Sequence, residues 1–344
     1  MKAAIERPVE RPVERPVVRA IAGRFLIVMG LLAGSFFHLP AAAQASYPSK
    51  PITFVVPFPP GGSSDLAARP LANALGRILK QPVVVFNRPG AGGAIGTGAV
   101  ANAEPDGYTV LVGLSSMATT PEADRLYERK PMYELKQLLP VARVTADPLL
   151  VVVREDSPYR SLKDLVDDAR KRPGKISFAS SGNYGPNHVG MEMLAHAAGV
   201  KVLSVAYAGG AATTTALLGG QVDFTMMAPS VAAANRKSGK VRALGVLAAS
   251  RLPTAPEIPT AKELGYDAEY SIWSGIFVPA ATPEPVVHLL RDAIRKAVQD
   301  RQFVDTMNTA EMPPAYLDAP EFRAFVEADS ARLVTAVRRI GKLD

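Results

Sequence analysis

The sequence predicts an α/β protein of two lobes, joined by a hinge that the chain crosses twice. Three observations carry this. Short β-branched runs alternate with longer runs of helical period, and they do so in two successive sets. Extended stretches near Asp147–Leu150 and Tyr270–Phe277 connect the sets. Finally, loops rich in glycine and hydroxyls follow three of the strands, and both sets contribute to them. A chain of 344 residues also exceeds one typical domain.

The elements follow in order. "ITFVVPF" reads as a strand, "DLAARPLANALGRIL" as a helix, "PVVVFNRPG" as a strand, "GTGAVANAE" as a helix and "YTVLVGL" as a strand. That βαβαβ order implies a parallel sheet with helices on its faces. The second set holds "LLVVVRED", the helix "SLKDLVDDARKRPG", "ISFASSG", and a helix over His188–Ala198. "VLSVAYAGG", a helix near Thr213–Leu218, "VDFTMMA" and "VRALGVLAA" complete it. "SIWSGIFVPAATP" then leaves that set, and helices over Glu284–Asp300 and Pro320–Ile340 end the chain. The expected lobes are residues 46–148 plus 271–344, and residues 149–270.

Ligands of α/β sheets bind beyond the carboxyl ends of strands. Three loops there can do chemistry: "PPGGSSD" (Pro59–Asp65), "SSGNYGPNH" (Ser180–His188) and "YAGGAATTT" (Tyr207–Thr215). Bare glycine backbone at a helix start offers unpaired N–H groups at the positive end of the helix dipole. Ser63 or Ser64 is the expected N-cap, and a capped turn without a ligand is the competing reading. Asp65 suits the dipole but would repel an anion set directly on it. Loops from both lobes face one cleft, so a carboxylated solute would find donors at both ends.

Other chemistry is poorly supported. "GTGAVA" (Gly96–Ala101) lies nine residues beyond its strand with no acid at the usual distance, which argues against a dinucleotide site. "GLSSM" lacks the second glycine of a nucleophile elbow. His188, Glu192 and His196 can share a helix face. However, i to i+8 spans about 12 Å, too far for both histidines to hold one metal ion. No cofactor is expected. There is no cysteine, hence no disulfide or thiolate site. Of 39 Lys/Arg and 32 Asp/Glu, six and three precede Ser46, and the remaining net +4 is too mild and scattered for nucleic acid. "PGAGGAIGTG" (Pro89–Gly98) reads equally as a wall of the cleft or a close-packed turn.

The first 45 residues read as an export signal. A basic region precedes "FLIVMGLLAGSFF", 13 apolar residues from Phe25 to Phe37, and "AAAQAS" places cleavage near Ala45/Ser46. "ERPV" occurs three times before it, and such spacing of proline forbids a helix, so a disordered extension is expected. The mature protein is expected to be soluble, monomeric and periplasmic.

A run of motifs in order resembles the Bug family, the periplasmic solute-binding proteins of tripartite tricarboxylate transporters. They include "YPSKPITFVVPFPPGGSSDLAARPLANAL", "VVVFNRPGAGGAIGTGAVANAEPDGYTVLVG", "PGKISFASSGNYGPNHV", "LLGGQVDF" and "WSGIFVPAATP". The resemblance covers Ser46–Asp344 and implies a type II periplasmic-binding-protein fold without enzymatic activity. It implies closure on a small carboxylated solute and delivery to membrane transporter subunits; a ligand sensor signalling through a membrane partner is the alternative.

The family binds a ligand carboxylate through backbone amides and waters at the first loop, here Pro60, Gly61, Gly62, Ser63, Ser64 and Asp65. The second-lobe loop maps to Ser180, Ser181, Gly182, Asn183 and His188. The family's "VPYKGGAPALTDLLGGQVD" type of segment maps to Tyr207, Gly209 and Asp223, and the stretch after the third strand to Ser115. This chain departs from the family at Ala208, usually lysine, and at Ala216, usually aspartate. "FTMMAPS" also lacks a frequent acid, and "GLSSMATTPE" replaces a family motif. These losses of charge imply a ligand bulkier than the simplest dicarboxylates, or an aromatic one.

Overall fold

The computed structural model describes residues 47–343; the expected export signal, its cleavage point and the ERPV extension lie outside them. The β-branched run Ile52–Val56 forms β1, followed by α1 (Ser63–Leu79), β2 (Val83–Asn87), α2 (Ala94–Ala101) and β3 (Thr109–Leu114). Helix α3 (Thr119–Leu126) and strand β4 (Leu138–Pro148) follow. The second set is β5 (Leu150–Arg154), α4 (Leu162–Lys171), β6 (Ser177–Ser180), α5 (Pro186–Ala198) and β7 (Leu203–Ala206). It continues with α6 (Gly210–Leu218), β8 (Phe224–Met227), α7 (Pro229–Lys237) and β9 (Val241–Val246). Strand β10 (Ser271–Pro279) and helices α8 (Glu284–Ala297), α9 (Arg301–Thr309) and α10 (Ala319–Ile340) complete the chain.

Two sheets result, with strand orders β2-β1-β3-β10-β4 and β7-β6-β8-β5-β9. In each, four of the five strands run in one direction and the fourth in the order, β10 or β5, is antiparallel to both its neighbours. The antiparallel strand is the one that enters from the other set: β5 directly after β4, and β10 after β9. The expected purely parallel sheets are therefore mixed, because a strand arriving through the hinge enters from the opposite end. The two crossings are zipped together. Leu149 N donates to Tyr270 O, Leu247 N to Leu149 O and Tyr270 N to Leu247 O, at 2.8–3.1 Å. Everything from Pro48 onward packs as one unit around this seam.

Helix α10 covers one face of the first sheet. Trp273 is buried against Phe322 and Phe325, and its indole N–H donates to Asp329 at 2.7 Å. Near the hinge, Asp147 on β4 is buried and its Oδ2 has no partner among the described residues. Burial pushes its carboxyl up to about 8.

Three elements escape the sequence pattern. "LLPVARVTADP" carries two prolines and no clean alternation, yet it is the 11-residue β4. α3 begins Thr-Thr-Pro, which reads as a turn. The expected helix Glu284–Asp300 ends at Ala297, because the Asp300 carboxylate caps a new helix by accepting from Phe303 N at 3.0 Å.

Candidate ligand-binding cleft

Four helices start at one place. The N-termini of α1, α5, α6 and α7 line an inner pocket of about 50 Å³, through Gly62–Ser64, Pro186–Asn187, Gly210 and Ala228. The first N–H groups of a helix have no partner within it. None of these four starts has a side-chain cap: the N-cap residues are Gly62, Gly185, Gly209 and Ala228. The expected serine N-cap on α1 is thus corrected. Ser63 and Ser64 are the first two helical residues, and the Ser64 hydroxyl donates to Val112 O at 2.9 Å instead.

The loop before α1 is held from beneath by Asp65. Its carboxylate accepts from Gly61 N at 3.1 Å, from Asn87 Nδ2 at 3.0 Å and from Arg69 Nη2 at 2.8 Å. Burial alone would raise its pKa, but the Arg69, Gly61 and Asn87 hydrogen bonds outweigh it and hold the group below the usual carboxylate range. Gly61 has φ +82°, where a side chain is strained; Gly62, at φ −86°, does not. The two glycines therefore serve different ends. Gly61 makes the turn, while Gly62 leaves space at the pocket wall, where a Cβ would find only Pro59 O, at 3.9 Å.

Across the cleft, the Asn187 side chain accepts from Ser181 N at 2.8 Å and from its hydroxyl at 2.5 Å, setting the second loop against α5. Met226, Met227, Val231 and Ile272 supply the apolar wall, and no charged side chain lines the inner pocket. A larger outer cavity of about 790 Å³ adjoins the inner one and shares Phe58, Pro59 and Ser181 with it. The lobes touch around it: a Cβ on Gly209 would lie 3.1 Å from the Pro59 ring, and one on Gly92 3.5 Å from Asn183 O.

The sequence-predicted residues divide into four groups. Gly62, Ser63, Ser64 and Ser181 line the inner pocket. Ser181, Gly182, Asn183, Tyr207 and Gly209 line the outer cavity. Pro60 and Gly61 form the exposed tip of the first loop and line neither.

The last group lies away from both spaces. Asp65 is under the loop, Ser115 is buried with its hydroxyl 3.1 Å from Tyr270 Oη, and Ser180 is buried behind Ser181. His188 is buried too: Nδ1 accepts from Tyr184 N at 3.1 Å, Nε2 has no partner among the described residues, and burial lowers its pKa to about 4. Asp223 accepts from Ser177 N and Oγ at 2.7 Å, at the start of β6 and β8. The cleft lies at their carboxyl ends, about 13 Å away along a four-residue strand. Parallel pairing puts Asp223 at the wrong end of the sheet.

Asn187, Thr213, Leu114 and the Met226–Ala228 run line the pocket without having been picked out from sequence. Asn187 stood inside the quoted loop "SSGNYGPNH", and a polar residue directly after a helix-starting proline was its signal. The "PGAGGAIGTG" stretch proves to be both things it could be. Pro89–Gly93 form a wall of the outer cavity, whereas Gly96 packs so closely that a Cβ would lie 2.5 Å from Arg88 O.

The family model described as tripartite tricarboxylate transporter family receptor (TctC) matches residues 67–342. The chain belongs to that family. It is similar to protein BugT of Bordetella pertussis, 34% identical over 323 residues, 94% of this chain and 97% of BugT. The solved periplasmic binding protein BugD is 33% identical with a TM-score of 0.79, over 86% of this chain and 99% of BugD. MatC from Rhodopseudomonas palustris with bound malate is 28% identical with a TM-score of 0.76, over 85% of this chain and all of MatC. The architecture is the type II periplasmic-binding-protein fold of this receptor family, whose solved members here are solute-binding proteins.

Proposed function

We propose that the protein captures a small carboxylated solute between its lobes in the periplasm and delivers it to the membrane subunits of a tripartite tricarboxylate transporter. One observation carries the carboxylate: four helix N-termini without side-chain caps converge on a pocket that holds no charged side chain. Unpaired N–H groups at the positive ends of helix dipoles favour an anion. They do so here without the desolvation cost of burying a cation. A volume of about 50 Å³ suits a carboxylate and a short stretch of carbon chain. The bound malate of MatC supports the same class of ligand.

The lobes, residues 46–148 with 271–344 and residues 149–270, move about the Leu149–Leu247–Tyr270 seam in this reading. No nucleophile faces a general base in the pocket, which favours binding over catalysis. Native mass spectrometry of the freshly purified protein is expected to reveal a retained organic acid. Calorimetric titration with a carboxylate panel is expected to give a tight binder that also compacts the protein in small-angle scattering. A panel that produces neither heat nor compaction would overturn the reading.

A further inference from the structure

The inner pocket solves the problem of one negative charge and no more. It is small, methionine, valine and isoleucine make its apolar wall, and no cation lines it. A second carboxylate on a short chain would be desolvated there without a cation to pair with, which is costly. The outer cavity differs in each respect. At about 790 Å³ it lies within the range of small-molecule sites, and it opens from the inner pocket past Phe58, Pro59 and Ser181.

Its charged lining is Asp124, Arg129 and Lys130, a net of one positive charge. Arg129 lies 4.7 Å over the Tyr127 ring, and its contact to Asp124 is long, 3.6 Å. Lys130 makes no ion pair or hydrogen bond among the described residues. Tyr127 and Tyr184, edge to face at 6.3 Å, with Tyr207, give the space between an aromatic lining.

We propose that the outer cavity is a second subsite, in which Arg129 and Lys130 receive the distal anionic group of an elongated solute whose first carboxylate sits in the inner pocket. The subsite rests on the carboxylate reading above and adds a substrate class to it. The ligand is an acid with charges at both ends of a long chain or an aromatic body, not a compact diacid. The chain lies along the tyrosines, and the cleft closes over it at Pro59–Gly209.

The test is calorimetric titration of the mature protein with unbranched α,ω-diacids of increasing length, each beside the monoacid of the same length. The parent is expected to prefer the long diacid over its monoacid by about tenfold, the worth of one charge-assisted contact that is partly exposed. R129Q/K130Q, altered on exposed side chains, is expected to lose that preference and bind the monoacid as before. A parent that treats diacid and monoacid alike overturns the subsite, as does a preference that survives in R129Q/K130Q. Gly62→Val separates the two ideas. If it abolishes binding of acids that the parent does not discriminate, the carboxylate reading stands and only the subsite falls. If no acid of either series binds the parent, both fall.

Discussion

The helices of this protein begin in two different ways. Three that lie away from the inner pocket are closed by their own side chains: Ser161 forms a capping box with Asp164 at α4, Asp300 caps α9 and Asp318 caps α10. Those that point into the cleft, α1, α5, α6 and α7, begin at glycine or alanine with no side-chain cap. An omitted cap costs about 1 kcal/mol of helix stability where alanine stands in its place and a few tenths where glycine does. Omitting four of them at a single pocket leaves that many sets of N–H groups open to an outside acceptor. Helices α2, α3 and α8 also start without a side-chain cap away from the inner pocket, and α5, α7 and α8 alike carry a proline in the first turn. Proline fits the start of a helix, where its missing N–H is no loss. The difference teaches that the site is made by withholding an interaction that the same chain readily makes elsewhere.

The largest expected effect concerns His188, in the first turn of α5. Its imidazole is buried, and its pKa is lowered from about 6.5 to about 4. A base with a lowered folded pKa contributes stability that is present above the unfolded value and lost as pH falls. The loss therefore runs from about pH 6.5 to about pH 4 and amounts to roughly 3 kcal/mol. His188→Asn keeps an acceptor near Tyr184 N and cannot charge. Denaturant titrations are expected to show the parent losing stability relative to this variant over that window. Asp147 works in the opposite sense, favouring the folded state as pH falls below about 8, but it is common to both proteins and cancels in the difference. Parallel pH profiles would break the assignment of a buried neutral histidine beside a cleft-facing helix start.

Gly62→Val comes next. Gly62 is extended, at φ −86° and ψ 170°, and a Cβ there meets only Pro59 O at 3.9 Å. A β-branched residue fits this backbone, so the melting curve is expected to stay close to the parent's. The side chain fills the space in front of the N–H groups, and losing one hydrogen bond to a charged group weakens binding by roughly ten- to a hundredfold. Unchanged affinity would mean that the bare helix starts face no ligand.

Ser161→Ala tests the other region. Removing its hydroxyl, which accepts from Asp164 N at 3.1 Å, is expected to cost about 1 kcal/mol of stability and leave ligand affinity alone. The smallest effect belongs to Ser63→Ala. Ser63 is the first residue of α1 and caps nothing, so its melting temperature is expected to fall by less than that of Ser161→Ala. A larger fall would show that the two kinds of helix start are not distinct.

Much of the site could be read from local chemistry. Adjacent glycines and hydroxyls between an apolar strand and a helix announce an exposed helix start, and Gly62, Ser63, Ser64 and Ser181 do line the inner pocket. The alternation of strands and helices likewise led to two α/β sets, and the motifs to the receptor family. What local chemistry could not supply was direction. Asp223 and Ser115 belong to the right segments, but strand polarity carries Asp223 to the far end of β8 and packing turns Ser115 toward Tyr270. His188 and Asp65 look like ligand-facing polar residues, yet one is buried behind its loop and the other bonds back to its own loop.

The sequence by itself therefore determined most of the strands, the glycine-rich loops that precede α1, α5 and α6, and that the chain divides into two α/β sets. These follow from propensity, glycine and periodicity, which act over a few residues. Only the tertiary structure decided that four such starts meet in one pocket, that no charge lines it, and that Arg129 and Lys130 stand at the cavity beside it. Convergence depends on the mixed order of two sheets and on a hinge that brings Pro59 against Gly209, 150 residues later in the chain. Contacts at that separation leave no trace in local pattern, because each partner satisfies its own helix or loop whether or not the other is there.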